Sequence, residues 1–151
     1  MADVTETILE NIKTAVNGID GTGSYNVNLI TVERRLKHWA TMNNSEFPAA
    51  FILYEGESFA PSTMVRNQFS DFTVSIVCFL HISDGVLETQ ITNLREDVLR
   101  ALFTDITRGG NAIDTQPVRT NAVVAWDGQE FTVGILEFTF LIKFEFSETN
   151  P

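Results

Sequence analysis

Leu136-Glu137-Phe138-Thr139-Phe140-Leu141-Ile142-Lys143-Phe144-Glu145-Phe146 decides the fold. Side chains alternate across a strand, so Leu136, Phe138, Phe140, Ile142, Phe144 and Phe146 share one face. Ile135, Glu137, Thr139, Leu141, Lys143 and Glu145 share the other. The first face is wholly aromatic and aliphatic and needs a cover. The second is mostly polar, with apolar exceptions. Just upstream, Ala122 to Trp126 runs into Asp127-Gly128, a strong two-residue turn signal. The last third therefore reads as a β-hairpin whose apolar face packs on helices.

Two segments supply those helices. Val4, Ile8, Ile12, Ala15, Val16 and Ile19 recur at helical spacing, which predicts a helix over residues 3–18. Asp3 is placed to cap it, Glu6 to complete a capping box, and Gly18 with the Asp20–Gly23 glycines to end it. Leu87, Ile91, Leu94, Val98 and Leu102 form the stripe of a second helix that ends near Phe103. Residues 69–82 alternate with period two, Phe72, Val74, Ile76, Cys78, Leu80 and Ile82 against Asp71, Thr73, Ser75, Val77, Phe79 and His81. Asp84-Gly85 breaks that strand. Tyr25, Val27 and Leu29 predict a strand over about 25–33, and Ala49 to Tyr54 a short buried one after Pro48. Residues 40–47, Glu55 to Thr63 (with Gly56 and Pro61) and 104–117 (with Gly109-Gly110 and Pro117) read as loops. The sum is one α+β domain over 1–151, a mainly antiparallel sheet of about four to five strands with two helices on one face. Val77, Phe79, Ile135 and Leu141 on the other face are then expected to be partly bare in a monomer, so that something covers them.

Composition narrows the partners. Twenty Asp and Glu against ten Lys and Arg give a formal charge of -10. Such a chain does not hold nucleic acid through its overall charge, and the plain reading of the acidity is solubility. The single cysteine, Cys78, excludes an internal disulfide and fits a reducing cytosol. The acidic, polar start is not that of a signal peptide, and no apolar run approaches the ~20 residues of a membrane helix.

Chemistry is looked for and not found. His38 and His81 are the only histidines, and neither has a second His or Cys at metal-ligand spacing. His81 followed by Asp84 is ordinary decoration of a strand end. Cys78 lies on an apolar face and reads as a buried, inert thiol. Gly18 to Gly23 follows a helix, whereas a dinucleotide fingerprint follows a strand and opens a helix. Asp20-Gly21-Thr22-Gly23 resembles the Asp-Thr-Gly of aspartic proteases but is split by Gly21 and has no second copy. No catalytic residue, cofactor or metal site is expected. Arg34, Arg35 and Lys37 beside Trp39 form the one basic cluster. It is a solvated strand end or a handle for an acidic neighbour, another copy of this chain included, ahead of nucleic acid.

The order of elements resembles that of phage tail terminator and tail completion proteins. The likeness runs through Ile8-Leu9-Glu10-Asn11-Ile12 in the opening helix, Pro48 to Leu53, Phe72 to Ile76, Leu94 to Leu99, and the closing hairpin. It lies in layout and strand texture over about the whole chain. The resemblance implies a homohexameric ring at the head-proximal end of the tail tube, assembled in the host cytoplasm and carried in the virion. Such a ring stops tube growth, offers a docking face to the head connector, and lets DNA through its lumen without binding it. No catalytic residues come with the family. The expected contacts are inferred from this chain: Arg34, Arg35, Lys37, Phe59, Met64, Arg66 and Arg108, with the loops 55–67 and 104–117 carrying the difference between tube side and head side. Removal of 57–63 is expected to leave the domain folded. Other readings are a head-side connector, a tail tube subunit, a small ligand-binding α+β domain with a pocket between sheet and helices, or a hydrolase-like enzyme.

Overall fold

The computed structural model describes residues 3–61, 67–82, 87–126 and 132–147. The helices form where the apolar spacing places them. Helix α1 spans Val4–Asn17 and buries Ile8, Leu9, Ile12 and Val16. Asp3 caps it, its carboxylate accepting from the Thr5 amide at 2.8 Å. Glu6 takes no part in a capping box; it pairs with Arg34 at 2.6 Å. Helix α2 spans Leu87–Phe103 and buries Ile91, Leu94, Val98, Ala101 and Leu102.

Five strands make one mixed sheet in the order β1-β2-β3-β5-β4. They are β1 (Thr31–Glu33), β2 (Ala49–Pro61), β3 (Asn67–Ile82), β4 (Asp114–Trp126) and β5 (Thr132–Ser147). Only β1 runs parallel to its neighbour, β2; every other pairing is antiparallel. The fold is thus α+β, with both helices on one face. Phe138, Phe140, Ile142 and Phe144 of β5 are at most 2% exposed and meet α1 and α2 in one core with Phe72, Val74, Ile76 and Cys78 of β3. At the start of β5, a Cβ on Gly134 would lie 2.9 Å from Leu87 Cδ1, so glycine there admits the first turn of α2.

Four expectations need correction. Residues 25–30 are not strand. Asp97, fully buried on α2, accepts from the amides of Asn26 (2.9 Å) and Val27 (2.7 Å) and from Asn26 Nδ2 (3.1 Å), and this pins the segment in place of a ladder. Residues 40–47 are not a plain loop. They form two short 3₁₀ turns, Trp39–Thr41 and Asn44–Glu46. Met42 and Phe47 from this segment pack with Ala49, Phe51 and Phe79, and Trp39, Val77 and Ile135 join them. This segment covers one end of the second face, where Phe79 is only 5% exposed, whereas Val77, Ile135 and Leu141 stay partly exposed as expected. The loop read over 55–63 is strand as far as Pro61, because Gly56 (φ 117°) absorbs a bulge and does not end the pairing. The 104–117 loop is shorter than expected, since β4 begins at Asp114 and tolerates Pro117 as an edge strand with a bulge between Pro117 and Arg119. The turn at Asp127-Gly128 and the break at Asp84-Gly85 lie outside the described residues.

Candidate assembly surfaces

The bulge in β2 re-aims the residues beyond it. Before it, Ala50 and Ile52 face the helices and Phe51 faces away. After it, Glu57 stands opposite Phe72, and Phe59 opposite Ser70. Directly opposed residues share a face, so the odd-numbered side chains of β2 now point to the helix side. That side is uncovered here, beyond the first turn of α1. Phe59 is 63% exposed and sets its ring edge-on to Phe146, with centroids 5.8 Å apart. Phe59, Phe144 and Phe146 form the aromatic floor of a groove of ≈ 300 Å³, with Thr5, Asp3 and Glu57 at its rim.

Both rim carboxylates are fixed by neighbours. Asp3 accepts from the Thr5 hydroxyl at 2.6 Å and from the Thr5 amide, and these bonds hold its pKa below the ordinary aspartate value. Glu57 accepts from the Tyr54 hydroxyl and from Ser70 Oγ, both at 2.7 Å. Its charge returns the favour: the hydrogen bond to Glu57 pushes the Tyr54 phenol up to about 12. The groove is therefore apolar within and negative at the edge.

A second groove, of opposite sign, lies between α2 and the edge strand β4. Arg95, Leu99 and Phe103 follow one another at i, i+4 and i+8 along α2 and line a groove of ≈ 370 Å³ with Pro117, Val118, Arg119 and Thr120, in which Arg119, paired with Thr139, contributes from the outer edge of β4. The bulge at Val118 leaves that side chain 57% exposed, and Phe103 is 43% exposed. Arg95 and Arg119 are exposed and form no ion pair among the described residues. This groove is apolar within and positive at the edge.

The expected contact residues divide accordingly. Phe59 stands as an exposed anchor. Arg35 is exposed, whereas Arg34 is spent on Glu6 and Glu10 (2.6 and 2.8 Å) and Lys37 sits 3.6 Å from Glu33. Met64 and Arg66 lie outside the described residues. Arg108 is a correction. It is 1% exposed, donates to the carbonyls of Leu102 and Asp105, and locks the turn after α2, so it is not offered to a neighbour. Its Nε and Nη1 find no partner among the described residues, and burial lowers its pKa. Glu57, Arg95 and Arg119 were not among the expected contacts. The signal for Glu57 was the lone Gly56 just after the apolar run Ala49 to Tyr54, which marks a bulge as readily as a turn.

The cysteine and the two histidines are each accounted for by their surroundings. Cys78 is fully buried, and burial pushes its thiol up to about 12. His38 Nδ1 accepts from the Ala40 amide at 3.1 Å, and His81 stacks on Phe47 with centroids 5.2 Å apart. Among the described residues no three His, Cys, Asp or Glu come together as a metal site, and no helix is long and apolar enough to cross a membrane. Phe72, Phe138, Phe140 and Phe144 fill the centre of the layer between sheet and helices, and the groove beside Asp3 and Thr5 opens at its end. Comparison with protein-family models gives no match, and neither does comparison with curated proteins.

Proposed function

We propose that this protein is a structural part of a phage particle, a ring that ends the tail tube and gives the head its docking surface. One observation carries the reading: Phe59 at the tip of β2 and Phe103 and Val118 beside the edge strand β4 are exposed apolar side chains, the first beside carboxylates and the others beside arginines, a combination typical of protein contacts. The layout it shares with tail terminators gives the kind of assembly. The ring acts by geometry. It matches the last tube ring on one side and refuses another tube subunit on the other. Its partners are further copies of itself, the tail tube protein and the head connector, and the acidic balance of the chain suits a lumen that DNA crosses without sticking. The test is to add the purified chain to tail tubes growing in vitro. Extension should stop with a ring at one end of each tube; tubes that lengthen unchanged overturn the reading.

A further inference from the structure

The two grooves differ in place as well as sign. The acidic, aromatic one sits at the tip of β2 and β5, beside the first turn of α1. The basic, apolar one sits on the opposite edge of the sheet, between α2 and β4. We propose that copies of this chain join head to tail, the β2 tip of one copy seating Phe59 in the α2–β4 groove of the next. Phe59 then packs on Leu99, Phe103 and Val118, while Asp3 and Glu57 meet Arg95 and Arg119. The proposal deepens the ring reading above by naming the surfaces that would close the ring.

Three features favour a second copy as the occupant. The charges complement each other within one sequence, and the two arginines on the receiving side have no ion pair of their own among the described residues. Guanidinium groups suit carboxylates already held in place, because less side-chain freedom is lost on contact. In a chain of net charge -10, most surfaces of two copies repel, so a basic-rimmed apolar groove is where an acidic tip can dock. Because the two surfaces are different, each docking leaves one tip and one groove unused. Such contacts propagate in one direction and close into a ring when the rotation allows.

Two variants with opposite defects test this. Phe59→Asp spoils the tip and leaves the groove; Arg95→Glu with Arg119→Glu spoils the groove and leaves the tip. All these side chains are exposed, and a wild-type circular dichroism spectrum with a cooperative melt shows that each variant folds, although loss of assembly itself lowers the melting temperature. Sedimentation of the full chain should give a closed assembly for the wild type and monomers for each variant alone. Mixed one to one, the variants should form heterodimers and nothing larger, since one intact tip and one intact groove remain. A wild-type chain that stays monomeric, a variant that assembles as the wild type does, or a mixture that stays monomeric each overturns the proposal. A ring untouched by the substitutions leaves the tail-end reading standing, and arrest of tube growth judges that reading separately.

Discussion

At the scale of single residues, stability rests on a few side chains whose surroundings fix their effect. Phe140 is 1% exposed at the centre of β5, and Phe140→Ala leaves a cavity between sheet and helices. It should cost roughly 3–5 kcal/mol, measured by denaturant unfolding. Asp97 is a different case, a buried carboxylate whose oxygens satisfy the Asn26 and Val27 amides. Asp97→Ala strands those donors and should cost about 2–4 kcal/mol. Its sequence signal was an acid inside the apolar stripe of α2, between Leu94 and Val98, where only a partnered charge is tolerated. The partner was not legible, because it comes from a segment 70 residues away. Asp3 gives a pH signature. Its folded pKa is depressed, so the cap contributes fully above the unfolded value of 3.8 and is lost as pH falls through the folded value. Asp3→Ala should cost about 1 kcal/mol at neutral pH and progressively less in acid, read from thermal melts. Cys78 should react with a thiol reagent only as fast as the chain opens, since its thiol is buried and its pKa is pushed up to about 12.

At the scale of elements, what repeats was legible and what interrupts was not. α1, α2 and the cores of β3 and β5 follow from period alone, and the structure places their apolar faces as read. The misreadings all fall on punctuation. Gly56 and Pro61 suggested a loop where β2 continues through a bulge, and Pro117 suggested a loop where an edge strand can carry it. Residues 25–30 alternate like a strand but follow Asp97. The 3₁₀ turns over 39–46 carry no strong period, yet they place Met42 and Phe47 against the second face of the sheet. The candidate surfaces inherit these errors. Phe59 was legible as an exposed apolar residue; its aromatic partners and acidic rim were not, because they depend on which way the bulge turns it. One consequence reverses an expectation. Deleting residues 57–63 removes the pairings of Glu57 with Phe72, Ser58 with Asp71 and Phe59 with Ser70, and with them the Glu57 bonds to Tyr54 and Ser70. Read on the monomer, the deletion should destabilise the fold by more than Phe59→Asp does; equal destabilisation by both would show that this end of β2 is not held as described.

At the scale of the whole molecule, the chain closes its own core and covers one end of its second sheet face. Exposed apolar side chains lie at its edges, Phe59 at one end of the sheet and Phe103, Val118, Val123 and Val124 around β4 at the other. Contacts of that kind are modest and charge-guided. Salt should therefore weaken self-association more than it weakens the fold. Sedimentation in low and high salt, beside thermal melts in the same buffers, checks that difference. The most direct measurement is to assemble phage tails in cells lacking this protein and image them. Tails of uncontrolled length, or tails of normal length unable to join heads, are the expected result; normal, infectious particles would contradict a role at the tail end.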